Sequence, residues 1–175
     1  IIKKKFELIS IKELIEENKI EIKTGDEVGK KFYGTFFKKI KDLINDEGII
    51  LLHTIGSVEP PGSLAPFIQK YVFKGGIVPS MSDIVSSIEK SGLVISDIES
   101  LIHHYDKTLK AWLDRFLNSK RQARQLYDDK FVRMWEFYLA SCSSAFKFRD
   151  LVVYQLQLVK DFKAIPSNRR DYIYF

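Results

Sequence analysis

Cysteine is almost absent from this chain: Cys142 is the single one among 175 residues. One thiol excludes an internal disulfide and any metal site built from cysteines alone, and it suits a reducing compartment. Long apolar runs are missing too, none approaching the roughly 18 to 20 residues needed to span a bilayer. The opening Ile1-Ile-Lys-Lys-Lys5 has neither the apolar segment of a signal peptide nor an initiating Met, which leads to the expectation of a cytoplasmic fragment of a longer protein. No Gly-x-Gly-x-x-Gly and no Walker-type glycine-lysine loop occurs, so no self-contained nucleotide cradle is legible. The absence of a Gly-x-Ser-x-Gly turn removes the argument for a serine triad. Histidines number three, and His103 and His104 are adjacent, about 100 degrees apart on a helix, which argues against a shared metal site.

What is present is a core and an uneven distribution of charge. At 45% hydrophobic and 13% aromatic, 175 residues bury one sizeable core, and residues 1–175 read as a single domain. The formal charge of +5 gathers at Lys3, Lys4 and Lys5 and in residues 110–133. There Lys110, Arg115, Lys120, Arg121, Arg124, Lys130 and Arg133 stand against Asp114, Asp128 and Asp129, a net +4. Such a surface is either an ordinary solvated helix face or a meeting point for phospholipid headgroups or nucleic acid.

Along the chain, residues 6–18 have a helical pattern and Ile20 to Lys23 that of a short strand. Val28, Phe32, Phe36, Phe37, Ile40 and Leu43 or Ile44 recur at helical spacing until Asn45-Asp-Glu-Gly48 stops them. Ile49-Ile-Leu-Leu52 has no polar alternation, as in a parallel strand covered on both faces. It delivers His53 toward the stiff loop Ser57-Val-Glu-Pro-Pro-Gly62, where ligands sit in open sheets. A histidine satisfied by backbone at a strand end is the equal alternative. Leu64 to Phe73 reads as irregular structure or a short helix. Ser80 with Asp83 forms a capping box for a helix to Lys90, closed by Gly92. Leu93 to Asp97 reads as a strand, followed by a long helix striped with Ile98, Leu101, Ile102, Tyr105, Leu109, Trp112, Leu113 and Phe116. Another helix spans about Asp128 to Lys147, and Leu151 to Val159 is a strand with unequal faces.

Five segments, in order, resemble the cyclopropane fatty acid synthases: Val28-Gly-Lys-Lys-Phe-Tyr33, Leu51-Leu-His-Thr-Ile-Gly56, Phe67-Ile-Gln-Lys-Tyr-Val-Phe-Lys-Gly-Gly76, His104-Tyr-Asp-Lys-Thr-Leu109 with Trp112, and Arg133-Met-Trp-Glu-Phe-Tyr-Leu-Ala-Ser-Cys142. The resemblance covers roughly residues 27–160. It implies an α/β fold, part of a class I, Rossmann-like S-adenosylmethionine-dependent methyltransferase without the N-terminal cofactor-binding half. The implied chemistry adds a methylene bridge from S-adenosylmethionine across a cis double bond of a phospholipid acyl chain. A bicarbonate ion takes up the proton released when the ring closes. On the family's motifs, His53 and Tyr138 match two of its side-chain ligands and Ile55 its backbone contact.

The family's glutamate ligand falls at Asp26, one methylene shorter, and the strand expected ahead of it is deleted. The anion-binding cysteine of the family comes from an earlier segment, so Cys142 is not its counterpart. The sequence assigns no cofactor-binding residue. Tyr138, on an aromatic-rich apolar stripe, reads as core without the resemblance. The implied partners are phospholipid acyl chains at the inner membrane surface, a separately encoded N-terminal half, and a second copy of the chain, with residues 110–133 facing the membrane. The alternative is an inactive remnant or a lipid- or membrane-binding module without turnover. A nucleic-acid binder rests on charge alone.

Overall fold

A computed structural model of the chain describes residues 28–165 and 169–170. The expected helix over 6–18, the expected strand Ile20 to Lys23, and Asp26 lie outside the described residues. Helix α1 (Val28–Leu43) leads to strand β1 (Ile49–Ser57), short helix α2 (Pro66–Tyr71), helix α3 (Met81–Ser91) and strand β2 (Val94–Leu101). Helices α4 (His104–Asn118), α5 (Lys120–Leu126) and α6 (Asp129–Phe148) follow, then strand β3 (Leu151–Val159) and a 3-10 turn, Phe162–Ala164.

The start of α3 is the capping box read from the sequence: Ser80 Oγ accepts from the Asp83 N–H at 3.3 Å, and the Asp83 carboxylate accepts from the Ser80 N–H at 3.3 Å. Two otherwise unpartnered amides are satisfied reciprocally. Gly92 then takes a left-handed conformation, φ 72°, which costs a residue without Cβ little and ends the helix. Asp128 caps α6 in the same manner, accepting from the Phe131 N–H at 2.7 Å.

The three described strands form one sheet in the order β1-β3-β2, with both pairings antiparallel. The parallel arrangement expected for Ile49–Leu52 is therefore not what the described residues show. An apolar run reports burial, and nothing in it specifies the direction of the neighbouring strand. β3 lies between the other two, and seven of its nine residues are buried. Its alternate side chains feed two cores. Val152, Tyr154, Leu156 and Leu158 pack against Phe37 of α1 and Ile84 and Ile88 of α3. On the opposite face, Val153 packs with Leu109 of α4 and Leu139 and Phe146 of α6. The result is a sheet layered between helices.

A second correction concerns the stripe assigned to one long helix. Ile98 and Leu101 belong to β2, and α4 begins only at His104. A β-bulge between Ile95 and Asp97 interrupts the two-residue alternation of β2, so the strand does not advertise its period in the sequence. Residues 120–126, read only as part of a basic segment, form the separate helix α5.

Candidate functional site

The sheet register places His53 at the middle of β1, directly opposite Gln155 of β3. This corrects the expected position in a loop beyond the strand end. Its ring is exposed, and Gln155 Nε2 lies 3.1 Å from His53 Nδ1. Ile55, two residues on, points to the same face and packs on the core of Leu109, Leu139, Phe146 and Val153. Beside it the Thr54 hydroxyl donates to the Ile55 carbonyl at 3.0 Å. Gly56 closes the motif for a steric reason: a Cβ there would lie 2.5 Å from two Tyr154 ring atoms.

Tyr138 reaches that face from α6, packing on the same core as Ile55. Its ring is 5.0 Å from Trp135 and 6.1 Å from Phe73. Burial, then the neighbouring Cys142 and Tyr105, push the phenol up to about 12, so at neutral pH it is an intact O–H donor. Burial likewise pushes up the Cys142 thiol, one helical turn further on. That thiol is a neutral packing group rather than an anion.

The two site helices are pinned by a buried polar contact. Ser143 Oγ of α6 donates to Asp106 Oδ1 of α4 at 2.6 Å, and Lys110 Nζ pairs with the same carboxylate at 3.2 Å. The Ser143 hydrogen bond, with Lys110 and Lys147 adding to it, holds Asp106 below the ordinary carboxylate range. Asp106 was not singled out in the sequence. It is the one acid of the segment His104–Leu109, yet nothing in the sequence separates it from a solvated helix carboxylate, and only its burial distinguishes it.

Aromatic side chains extend the site outward. Phe67 of α2 meets Phe137 of α6 edge-on at 4.7 Å and Tyr71 at 5.4 Å. Tyr127 stacks on Phe131 at 4.2 Å, and Phe131 on Trp135 at 5.9 Å. An open cleft of about 370 Å³ lies between α2 and the start of α6, lined by Phe67, Tyr71, Asp128, Lys130, Phe131 and Met134. The sequence reading missed Phe67, Tyr71 and Phe137. The available signal was their apolar bulk away from any core stripe, and Phe137 is indeed 56% exposed.

The arrangement places an imidazole and a phenol on one sheet face, with an apolar aromatic wall against the phenol. That donor set suits a small anion next to a greasy substrate. The two glycines with positive φ among the described residues, Gly75 and Gly92, lie in a loop and at a helix end, so neither forms a phosphate-binding strand-to-helix turn. His103 stands at the N-cap position of α4 and His104 opens it, both exposed.

The family model of mycolic acid cyclopropane synthetase matches residues 7–156. Cyclopropane-fatty-acyl-phospholipid synthase of Escherichia coli K12 is 38% identical over 131 residues, 75% of this chain and 34% of that protein. Tuberculostearic acid methyltransferase UfaA1 of Mycobacterium tuberculosis is 32% identical over 149 residues, 81% of this chain and 35% of that protein. The crystal structure of the mycolic acid cyclopropane synthase CmaA1 complexed with SAH and CTAB superposes with a TM-score of 0.69 at 27% identity, covering 77% of this chain and 52% of that one. The chain thus spans about a third of the length of these curated relatives.

Proposed function

The chain belongs to the mycolic acid cyclopropane synthetase family, and from that premise we propose that it forms the lipid-facing side of an S-adenosylmethionine-dependent enzyme acting on unsaturated acyl chains. Its fold is that of part of an S-adenosylmethionine-dependent methyltransferase. The observation carrying the proposal is that His53 and Ile55 share one sheet face and that Tyr138 packs on that face in the same core as Ile55. In this reading the Phe67, Phe131, Trp135 and Phe137 surfaces hold the acyl chain and exclude water. His53 and Tyr138 donate to a bicarbonate ion, which when bound supplies a base for the proton lost at ring closure. In this reading S-adenosylmethionine is cradled by residues corresponding to the part of the relatives that this chain does not cover, since it spans about a third of their length.

The substrate follows from the same surface. Phospholipid is the reading favoured here because exposed basic residues accompany the cleft: Lys130 lines it, Arg133 follows within one turn of α6, and Arg121 is exposed on the preceding helix α5. Leu126 and Tyr127 add apolar surface, 78% and 57% exposed. Anionic headgroups would meet the cations while an acyl chain enters the cleft.

The test is methyl transfer from labelled S-adenosylmethionine to vesicles of cis-unsaturated phospholipid. The chain is assayed alone and with the part of the Escherichia coli relative outside the matched 131 residues, supplied as a second polypeptide. Turnover is expected only in the mixture. His53→Ala and Tyr138→Phe should each lower it by roughly 100-fold or more, with circular dichroism unchanged. A folded mixture that binds the cofactor without transferring methyl would favour the remnant reading, and unchanged rates in the variants would remove both residues from the site.

A further inference from the structure

Across the sheet, His53, Gln155 and Glu99 form one row, each the register partner of the next. They share the face of Ile55, Val153 and Leu101, one step beyond the row packed by α4 and α6. Gln155 stands in the middle strand and its amide Nε2 lies 3.1 Å from His53 Nδ1. A side-chain amide nitrogen has only hydrogens to offer, so a neutral imidazole facing it must present Nδ1 as the bare acceptor and carry its proton on Nε2. Nε2 lies at the distal edge of the ring, across from Nδ1, and His53 is exposed.

We infer that Gln155 is a positioning residue: it fixes His53 in the Nε2–H tautomer and aims that donor away from the sheet, toward a small oxyanion held on the open face. The role rests on the anion-site reading above for its purpose, but the tautomer stands as a property of this chain by itself. Glu99, on the far side of Gln155, is about 10 Å from His53 by strand spacing. The histidine thus receives its orientation from a neutral partner, which leaves its donor capacity for the ligand, much as the unligated nitrogen of a metal-bound histidine is oriented by its own partner.

The test uses the whole chain labelled with nitrogen-15, with long-range proton–nitrogen correlations of its three imidazoles in mildly alkaline buffer. His53 is assigned by its disappearance in His53→Gln, and the exposed His103 and His104 serve as internal references for an unbiased tautomer mixture. The expected spectrum separates the two His53 nitrogens more widely than those of the reference rings. In Gln155→Leu that separation should collapse to the reference values. In Gln155→Glu it should reverse, because a carboxylate accepts and draws the proton to Nδ1. Equal separations in all three wild-type histidines, or a His53 signal unmoved in Gln155→Leu with backbone amide spectra intact, would overturn the inference. Adding bicarbonate probes the other reading independently: a shift at His53 Nε2 supports the anion site, and no shift counts against that site while leaving the tautomer result in place.

Discussion

At the scale of single residues, the chemistry of Tyr138 follows from what surrounds it. Its phenol, crowded by Trp135, Phe73 and Cys142, titrates near 12 in the folded chain, against about 10 when unfolded. A group whose folded value is raised contributes its stability below the unfolded value and loses it as pH climbs from about 10 toward 12, since only the unfolded chain ionises in that window. After discounting for the partly exposed ring, the contribution is on the order of 1 kcal/mol. Guanidinium unfolding at pH 8 and pH 11 should show Tyr138→Phe losing less stability than wild type between the two. Equal losses would mean that the phenol is solvated in the native state. The sequence named Tyr138 only through the resemblance, because spacing along a helix cannot separate a core tyrosine from one whose hydroxyl has a task. Gly56 was legible as the end of an apolar run, yet its reason, the ring of the distant Tyr154 on β3, was not.

Among the elements, legibility tracked how local the controlling physics is. The α3 cap, its Gly92 stop and the β3 span are decided by neighbours within a few residues, and they stand where the sequence put them. Strand direction and the start of α4 depend on distant partners and on a bulge, and they were misread for that reason. Helix α5 shows what charge counting alone misses. Of the seven cations in residues 110–133, Lys110, Lys120 and Arg124 are engaged by Asp106, Glu136 and Asp129 at 3.2, 2.6 and 2.8 Å. Arg121 and Lys130 are exposed, as are Leu126 and Tyr127 in the same stretch of chain, so they are the better candidates for headgroup contact. The double variant Arg121→Gln, Lys130→Gln should bind vesicles containing phosphatidylglycerol about 30-fold more weakly, from about 1 kcal/mol per cation near an anionic surface. Binding to purely zwitterionic vesicles should stay the same. Equal loss on both lipids would point to a folding defect, and no loss on either would move the membrane face elsewhere.

For the molecule as a whole, the decisive asymmetry lies in the sheet. β3 is buried between two strands, whereas β1, which carries His53 and Ile55, pairs only with β3 among the described residues. Leu51 on β1 is 47% exposed despite its place in an apolar run. A strand of nine residues with such side chains gains from a neighbour, both through its ladder and through buried apolar area. This chain covers 52% of the structural relative's chain, so a neighbour for β1 can be sought in the unmatched remainder of such a protein. A polypeptide that binds the folded chain and not the unfolded one raises apparent stability by mass action, about 2.7 kcal/mol at a hundredfold excess over its dissociation constant. Thermal unfolding of this chain should therefore shift upward when the unmatched part of the Escherichia coli relative is added. It should rise again with S-adenosylhomocysteine, which on its own should leave the chain's melting unchanged. A midpoint indifferent to the added polypeptide would show that the edge of β1 is not where completion occurs, whereas stabilisation by the cofactor product alone would place the cofactor site on these 175 residues after all.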